Sequence, residues 1–125
     1  MLDTKTIERW LSAYLKAWRS DSPNDIAELF ESDARYFTEP FRDPRVGREA
    51  IVEWWVGNGD SAVPWAFEHE VLAGEGPLFV VKSVTTYPQG GDGVGEPEVY
   101  DNIWLVTLEE SGRASEFVEY WMERT

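Results

Sequence analysis

A chain of 125 residues with a formal charge of -13 and a pI near 4.3 repels phosphate backbones and anionic lipid surfaces, which argues against nucleic acid or a membrane as partner. Its 42% hydrophobic content, with seven Trp, five Tyr and six Phe, suffices for the core of one domain spanning residues 1–125. With no cysteine and His69 as the single histidine, thiol nucleophiles, disulfides and multi-histidine zinc sites are excluded, and neither a metal nor a cofactor is expected.

The first element is an amphipathic helix from Asp3 to about Arg19. Ile7, Trp10, Leu11, Tyr14, Leu15 and Trp18 recur at the i, i+3, i+4, i+7 spacing of one helical stripe. Asp3 or Thr4 can cap its start, and Ser22 followed by Pro23 caps a short second helix carrying Ile26, Leu29 and Phe30 up to the break at Ser32-Asp33. A short strand then runs into the turn Glu39-Pro40-Phe41. Pro40 pushes Glu39 toward an extended conformation, and Phe37 and Phe41 give its carboxylate apolar neighbours. Held there, Glu39 is either a base or a surface turn acid beside core aromatics.

A third helix is expected from Gly47 or Arg48 to Val56, with Ile51, Trp54 and Trp55 apolar and Gly57-Asn58-Gly59 as its stop. The pattern then changes to strand period. Trp65, Phe67, His69 and Val71 alternate with Ala66, Glu68 and Glu70. Leu78 to Tyr87 is a strand apolar on both faces, and the glycine-rich segment Pro88 to Pro97 is a hairpin loop or a mobile lid, too irregular for a phosphate cradle. Val99 to Leu108 and Ala114 to Met122 are the last two strands, joined by a turn at Gly112. The layout is α+β, three helices followed by a four- or five-strand antiparallel sheet, with a cavity between the layers as the expected site.

Strand parity selects residues for that cavity. Phe117, Glu119 and Trp121 share one side of the last strand, and Asn102 and Trp104 share one side of the strand before it, with Asp101 pointing away unless a bulge exchanges the two. An acid between two aromatics on the inward side must be paired or perform a task, so Glu119 is a catalytic candidate or a structural ion pair. Tyr14 lies in the helical stripe as core or as a phenol donor, and His69 is a cavity donor or a satisfied strand histidine. Trp18, Trp54, Trp55, Ser83 and Asn102 complete the expected ligand contacts.

The order helix, helix, strand, helix, sheet, with Asp33-Ala34, Pro40-Phe41, Gly47-Arg48-Glu49-x-Ile51, Gly112-Arg113 and Tyr120-Trp121, resembles the superfamily of nuclear transport factor 2 (NTF2). Within it the chain is most similar to SnoaL-like and ketosteroid-isomerase-like members. The resemblance implies a cone-shaped NTF2-like fold, three N-terminal helices packed on a curved antiparallel sheet. In ketosteroid isomerases an acid before a Pro-Phe pair abstracts a proton beside a carbonyl, and a first-helix tyrosine and a protonated aspartate hold the oxyanion. Glu39 matches that base, Tyr14 that tyrosine, and Phe117 and Trp121 the pocket walls.

The chain departs from this pattern at Trp104, which stands where the aspartate would be, and at Phe30 and Trp55, which replace the supporting hydroxyls. Glu119 resembles the water-activating aspartate of limonene epoxide hydrolases, without an inward Arg-x-Asp pair beside it. The implied function is a small-molecule-binding domain for a hydrophobic carbonyl or enol ligand, with Glu39, Tyr14 and Glu119 as candidate acid–base groups. The alternative is a non-catalytic binder or dimeric interaction module. The sheet face opposite the cavity, with Val80, Val84, Ile103, Leu105, Val118, Tyr120 and Met122, predicts a homodimer. No apolar run reaches the roughly 18 residues of a membrane span and the Met1 end has no signal pattern, so a cytoplasmic location is expected.

Overall fold

A computed structural model describes residues 3–58 and 63–124. The expectation about the Met1 end and the part of Gly59 in the helix stop lie outside them. The first helix, α1 (Thr4–Ser20), begins where the sequence places it. The Asp3 side chain accepts from the Thr6 N–H at 3.1 Å while the Thr6 hydroxyl accepts from the Asp3 N–H, a reciprocal cap that occupies donors left open at the first turn. Ile7, Trp10, Leu11, Tyr14 and Ala17 form its buried face, and the Trp10 indole N–H donates to the Leu29 carbonyl at 2.9 Å. Each such large apolar side chain contributes about 1.5–3 kcal/mol on burial.

The second helix, α2 (Pro23–Ala27), is shorter than the apolar set Ile26, Leu29, Phe30 predicts, because Phe30 opens β1 (Phe30–Phe37). Ser32 and Asp33, read from sequence as a break, lie inside that strand. Two turns of helix carry too few hydrogen bonds to fix their own boundary, so packing decides it. The chain turns through Glu39 to β2 (Arg45–Val46), antiparallel to β1, and enters α3 (Arg48–Gly57) through Gly47, whose φ of +96° favours a residue without Cβ.

Strands β3 (Ala66–Glu75), β4 (Leu78–Tyr87), β5 (Glu98–Leu108) and β6 (Ala114–Glu123) follow as an antiparallel meander. The six-stranded sheet has the order β2-β1-β6-β5-β4-β3. It is mixed, not antiparallel as expected, because β1 pairs parallel with β6 in the register Tyr36 to Phe117. That pairing joins segments some eighty residues apart, beyond the reach of any local pattern.

Burial on β5 alternates as parity predicts, with Asn102, Trp104, Val106 and Leu108 inside. All three helices hold their buried aromatic or aliphatic residues against this inner face, where Tyr14, Tyr36, Trp55, Trp104 and Phe117 pack ring to ring. Among the described residues no helix is long and apolar enough to cross a membrane.

Candidate functional site

Cross-strand register brings inward side chains into rows. Val71, Val81, Trp104 and Glu119 form one, and His69, Ser83, Asn102 and Trp121 the next. Over the ends of these rows, between sheet and helices, opens a cavity of about 390 Å³. Its helix side is Tyr14 and Trp18 from α1 and Trp54, Trp55 and Asn58 from α3 and its end. Its sheet side is Tyr36, Thr85, Asn102, Trp104 and Glu119, and its mouth is formed by Tyr87, Gly91, Glu98, Tyr100 and Trp121.

Glu119 is the acid in the interior of this space. Its Oε2 accepts from the Trp104 indole N–H at 2.9 Å. Burial among aromatic rings disfavours the charged carboxylate and pushes its pKa up to about 7; the Trp104 N–H opposes the shift and the charge of Glu39 adds to it. The carboxyl lines the cavity and is poised to hold or release a proton at neutral pH. Beside it the hydroxyls of Tyr14 and Tyr36 are 2.8 Å apart. Burial above all, then the neighbouring Tyr36 and Glu119, raises the Tyr14 pKa well above the ordinary phenol value, so Tyr14 remains a hydrogen-bond donor. Asn102 Nδ2 donates to Thr85 Oγ1 at 3.2 Å, a neutral polar pair on the sheet side.

The sequence-derived residues divide. Tyr14, Trp18, Trp54, Trp55, Asn102, Trp104, Glu119 and Trp121 all line the cavity. Phe117 is fully buried beneath it, stacked on Tyr14 and Tyr36. Ser83 is buried in the Asn102 row with its hydroxyl lacking a protein partner, and does not reach the cavity wall. His69 is exposed on β3 and bonds Glu8 at 3.0 Å.

Glu39 stands in the β1–β2 turn, paired with the Arg42 guanidinium three residues on. It lines a second groove of about 730 Å³ with Phe41, Tyr120 and Met122, which shares Asn102 and Trp121 with the cavity, and its charge adds to the upward shift of Glu119. The turn that Pro40 creates carries the carboxylate past the end of the inner face, which residue order alone does not show.

Sequence reasoning missed Tyr36, Thr85, Tyr87, Glu98 and Tyr100. Parity holds the signal for most of them. Counting back from Trp104 and Asn102 by twos reaches Tyr100 and Glu98, and counting on from Ser83 reaches Thr85 and Tyr87. The glycine-rich loop is tied down more than its composition predicts. Gly95 donates to the Gln89 carbonyl at 2.7 Å, Val94 and Gly95 both donate to Asp92 Oδ1, and Gly91 donates to Glu98 Oε2 at 2.9 Å. Among the described residues no group of three or more acids or histidines is arranged to hold a metal.

Residues 11–117 match the SnoaL-like domain. The chain belongs to that family. Among solved structures this SnoaL-like chain is similar to SalBIII, an epoxide hydrolase/cyclase-like enzyme of pyran ring formation in the polyether salinomycin, at 18% identity with a TM-score of 0.76 over 98% of this chain and 95% of that one. An NTF-2-like protein of unknown function from Burkholderia xenovorans is 16% identical with a TM-score of 0.72, covering 97% and 86%. A ketosteroid-isomerase-like protein from Erwinia carotovora atroseptica is 20% identical with a TM-score of 0.65, covering 94% and 95%. At these identities the likeness establishes the NTF2-like fold, and no curated protein matches the sequence.

Proposed function

We propose that this SnoaL-like domain binds a hydrophobic small molecule in the cavity and moves a proton on it through Glu119. The observation that carries this reading is the isolated interior carboxyl with its pKa near neutrality, held by one indole N–H in a cavity walled by aromatic rings. As carboxylate, Glu119 takes a proton from the carbon beside a ligand carbonyl. As acid, it returns that proton to another carbon of the enol. Tyr14, kept protonated by burial and hydrogen-bonded to the Tyr36 hydroxyl, donates to the developing oxyanion. Such a shift consumes no cofactor. The neighbours described as cyclase-like and ketosteroid-isomerase-like support chemistry of this kind on this fold.

One arrangement favours the second reading, a binder without turnover. Glu39, the residue matching the isomerase base, is engaged by Arg42 and does not line the cavity, so the pair of acids expected from the sequence is not assembled there. The two readings separate in heavy water. A cyclic enone should exchange the hydrogens beside its carbonyl in the presence of the protein, and Glu119→Gln should reduce that exchange at least about a hundredfold, the usual scale of general acid–base catalysis. Bound enone with no protein-dependent exchange would leave the binder.

For the assembly we propose a second copy of the chain on the sheet face away from the helices. Tyr120 and Met122 are 46% and 71% exposed there beside Ile103, and helices cover the opposite face alone. Val80, Val84, Leu105 and Val118 lie on the same side by strand parity, interspersed with Lys82, Asp101 and Glu116, and an apolar patch of this kind on a sheet face marks an interface.

A further inference from the structure

At the mouth of the cavity two aromatic rings, Tyr87 and Trp121, each stand edge to face with Tyr100. Tyr87 meets Tyr100 at 84° with centroids 6.0 Å apart, and Tyr100 meets Trp121 at 71° and 5.9 Å. The Glu98 carboxylate is fixed against this corner. Its Oε1 accepts from the Tyr100 hydroxyl at 2.8 Å and its Oε2 from the Gly91 N–H at 2.9 Å. Strand period places Trp121 two residues from Glu119 on the same face of β6, about 7 Å along the strand, so the corner opens onto the space above the interior acid.

We propose that this corner receives an alkylammonium group, and that the ligand is a cationic small molecule whose apolar body continues to Glu119.

Three observations support the charge. Rings set edge to face, as Tyr87 and Trp121 each are to Tyr100, present π faces in more than one direction, and a quaternary or alkylated ammonium is attracted to such faces, while a flat ligand stacks on parallel ones. The carboxylate held at the ring edge supplies a full negative charge, and its two hydrogen bonds fix where that charge sits. Third, the cavity lining contains Glu98 and Glu119 and no lysine or arginine, and the undescribed residues 59–62 contain none either. An anionic ligand would meet no counter-charge there, in a protein of net charge -13 that already repels it at long range. The same partnership is already made internally around the cavity wall: Arg45 lies over the ring of the lining residue Trp54 at 5.3 Å, and Arg19 over Trp65, which stacks on the lining Trp18, at 5.1 Å.

The inference rests on the cavity being the ligand site, and the experiment separates the two claims. Tryptophan fluorescence and calorimetry would follow titration with choline, with its neutral carbon isostere dimethylbutanol, and with naphthol as an uncharged probe of the cavity. Choline should bind about tenfold more tightly than the isostere, a difference of the size cation–π and carboxylate contacts give. Glu98→Gln and Trp121→Leu should each remove most of that preference, bringing the ratio of choline to isostere affinity toward one. Trp121 is half exposed and Glu98→Gln keeps shape, so both variants test recognition in a folded chain. Equal affinity for choline and the isostere, with naphthol still bound, overturns the cationic ligand and leaves the cavity reading intact. Loss of all three, naphthol included, overturns the cavity reading itself.

Discussion

The indole N–H of Trp104 donates to Oε2 of Glu119 across the β5–β6 pair, at 2.9 Å between residues directly opposite in register. This bond is the one contribution that favours the charged carboxylate, against burial and the Glu39 charge. Trp104→Phe keeps a large ring in the layer and removes the donor. The Glu119 pKa should then rise above about 7, read from the carboxyl carbon shift in an NMR titration. A fall would mean that the indole contributes mainly by excluding water.

Stability should depend on the same proton. The Glu119 pKa is raised from 4.5 in the unfolded chain to about 7 in the fold, so the fold binds the proton more tightly. The contribution is complete below the unfolded value and is lost as pH rises from about 4.5 to about 7. Glu119→Gln carries no charge to bury. At about pH 8 it should be more stable than the parent by on the order of 1–3 kcal/mol, and the two should converge toward pH 4. Denaturant melts across this range check the sign; a variant less stable at pH 8 would mark Glu119 as a structural hydrogen-bond partner.

Tyr14→Phe removes the hydroxyl that meets Tyr36 in the core and leaves the ring packing with Trp104 and Phe117 in place. Losing one buried hydrogen bond should cost about 1–2 kcal/mol, seen as a lower thermal midpoint. Enone exchange should slow about a hundredfold as an oxyanion donor is lost. A slowdown that tracks only the fraction unfolded would confine Tyr14 to packing.

The bare sheet face can be tested at its most exposed residue. Met122→Lys places a charge in the proposed contact, and sedimentation should shift from twice the 14.4 kDa chain mass to once that mass. The parent sedimenting as a monomer at micromolar concentration removes the dimer.

Much of this architecture is legible in the order of residues. The stripe from Ile7 to Trp18 and the Asp3 cap specify α1, because a helix brings i, i+3 and i+4 to one side whatever surrounds it. Period two specifies which residues of β5 and β6 face inward, so Asn102, Trp104 and Glu119 were identifiable as neighbours of the cavity before any fold was known.

What tertiary structure alone decided is long-range. Phe30 belongs to a strand because β6 is there to pair with, and Tyr36 meets Tyr14 because parallel register sets it against Phe117. Glu39, the most suggestive acid in the sequence, is carried outside the cavity by the hairpin between β1 and β2 and meets Arg42 there. Local patterns determine the face a residue presents, since that depends on backbone periodicity. Which partner waits on that face depends on the pairing of segments far apart in sequence, and on the apolar burial that selects one register from many.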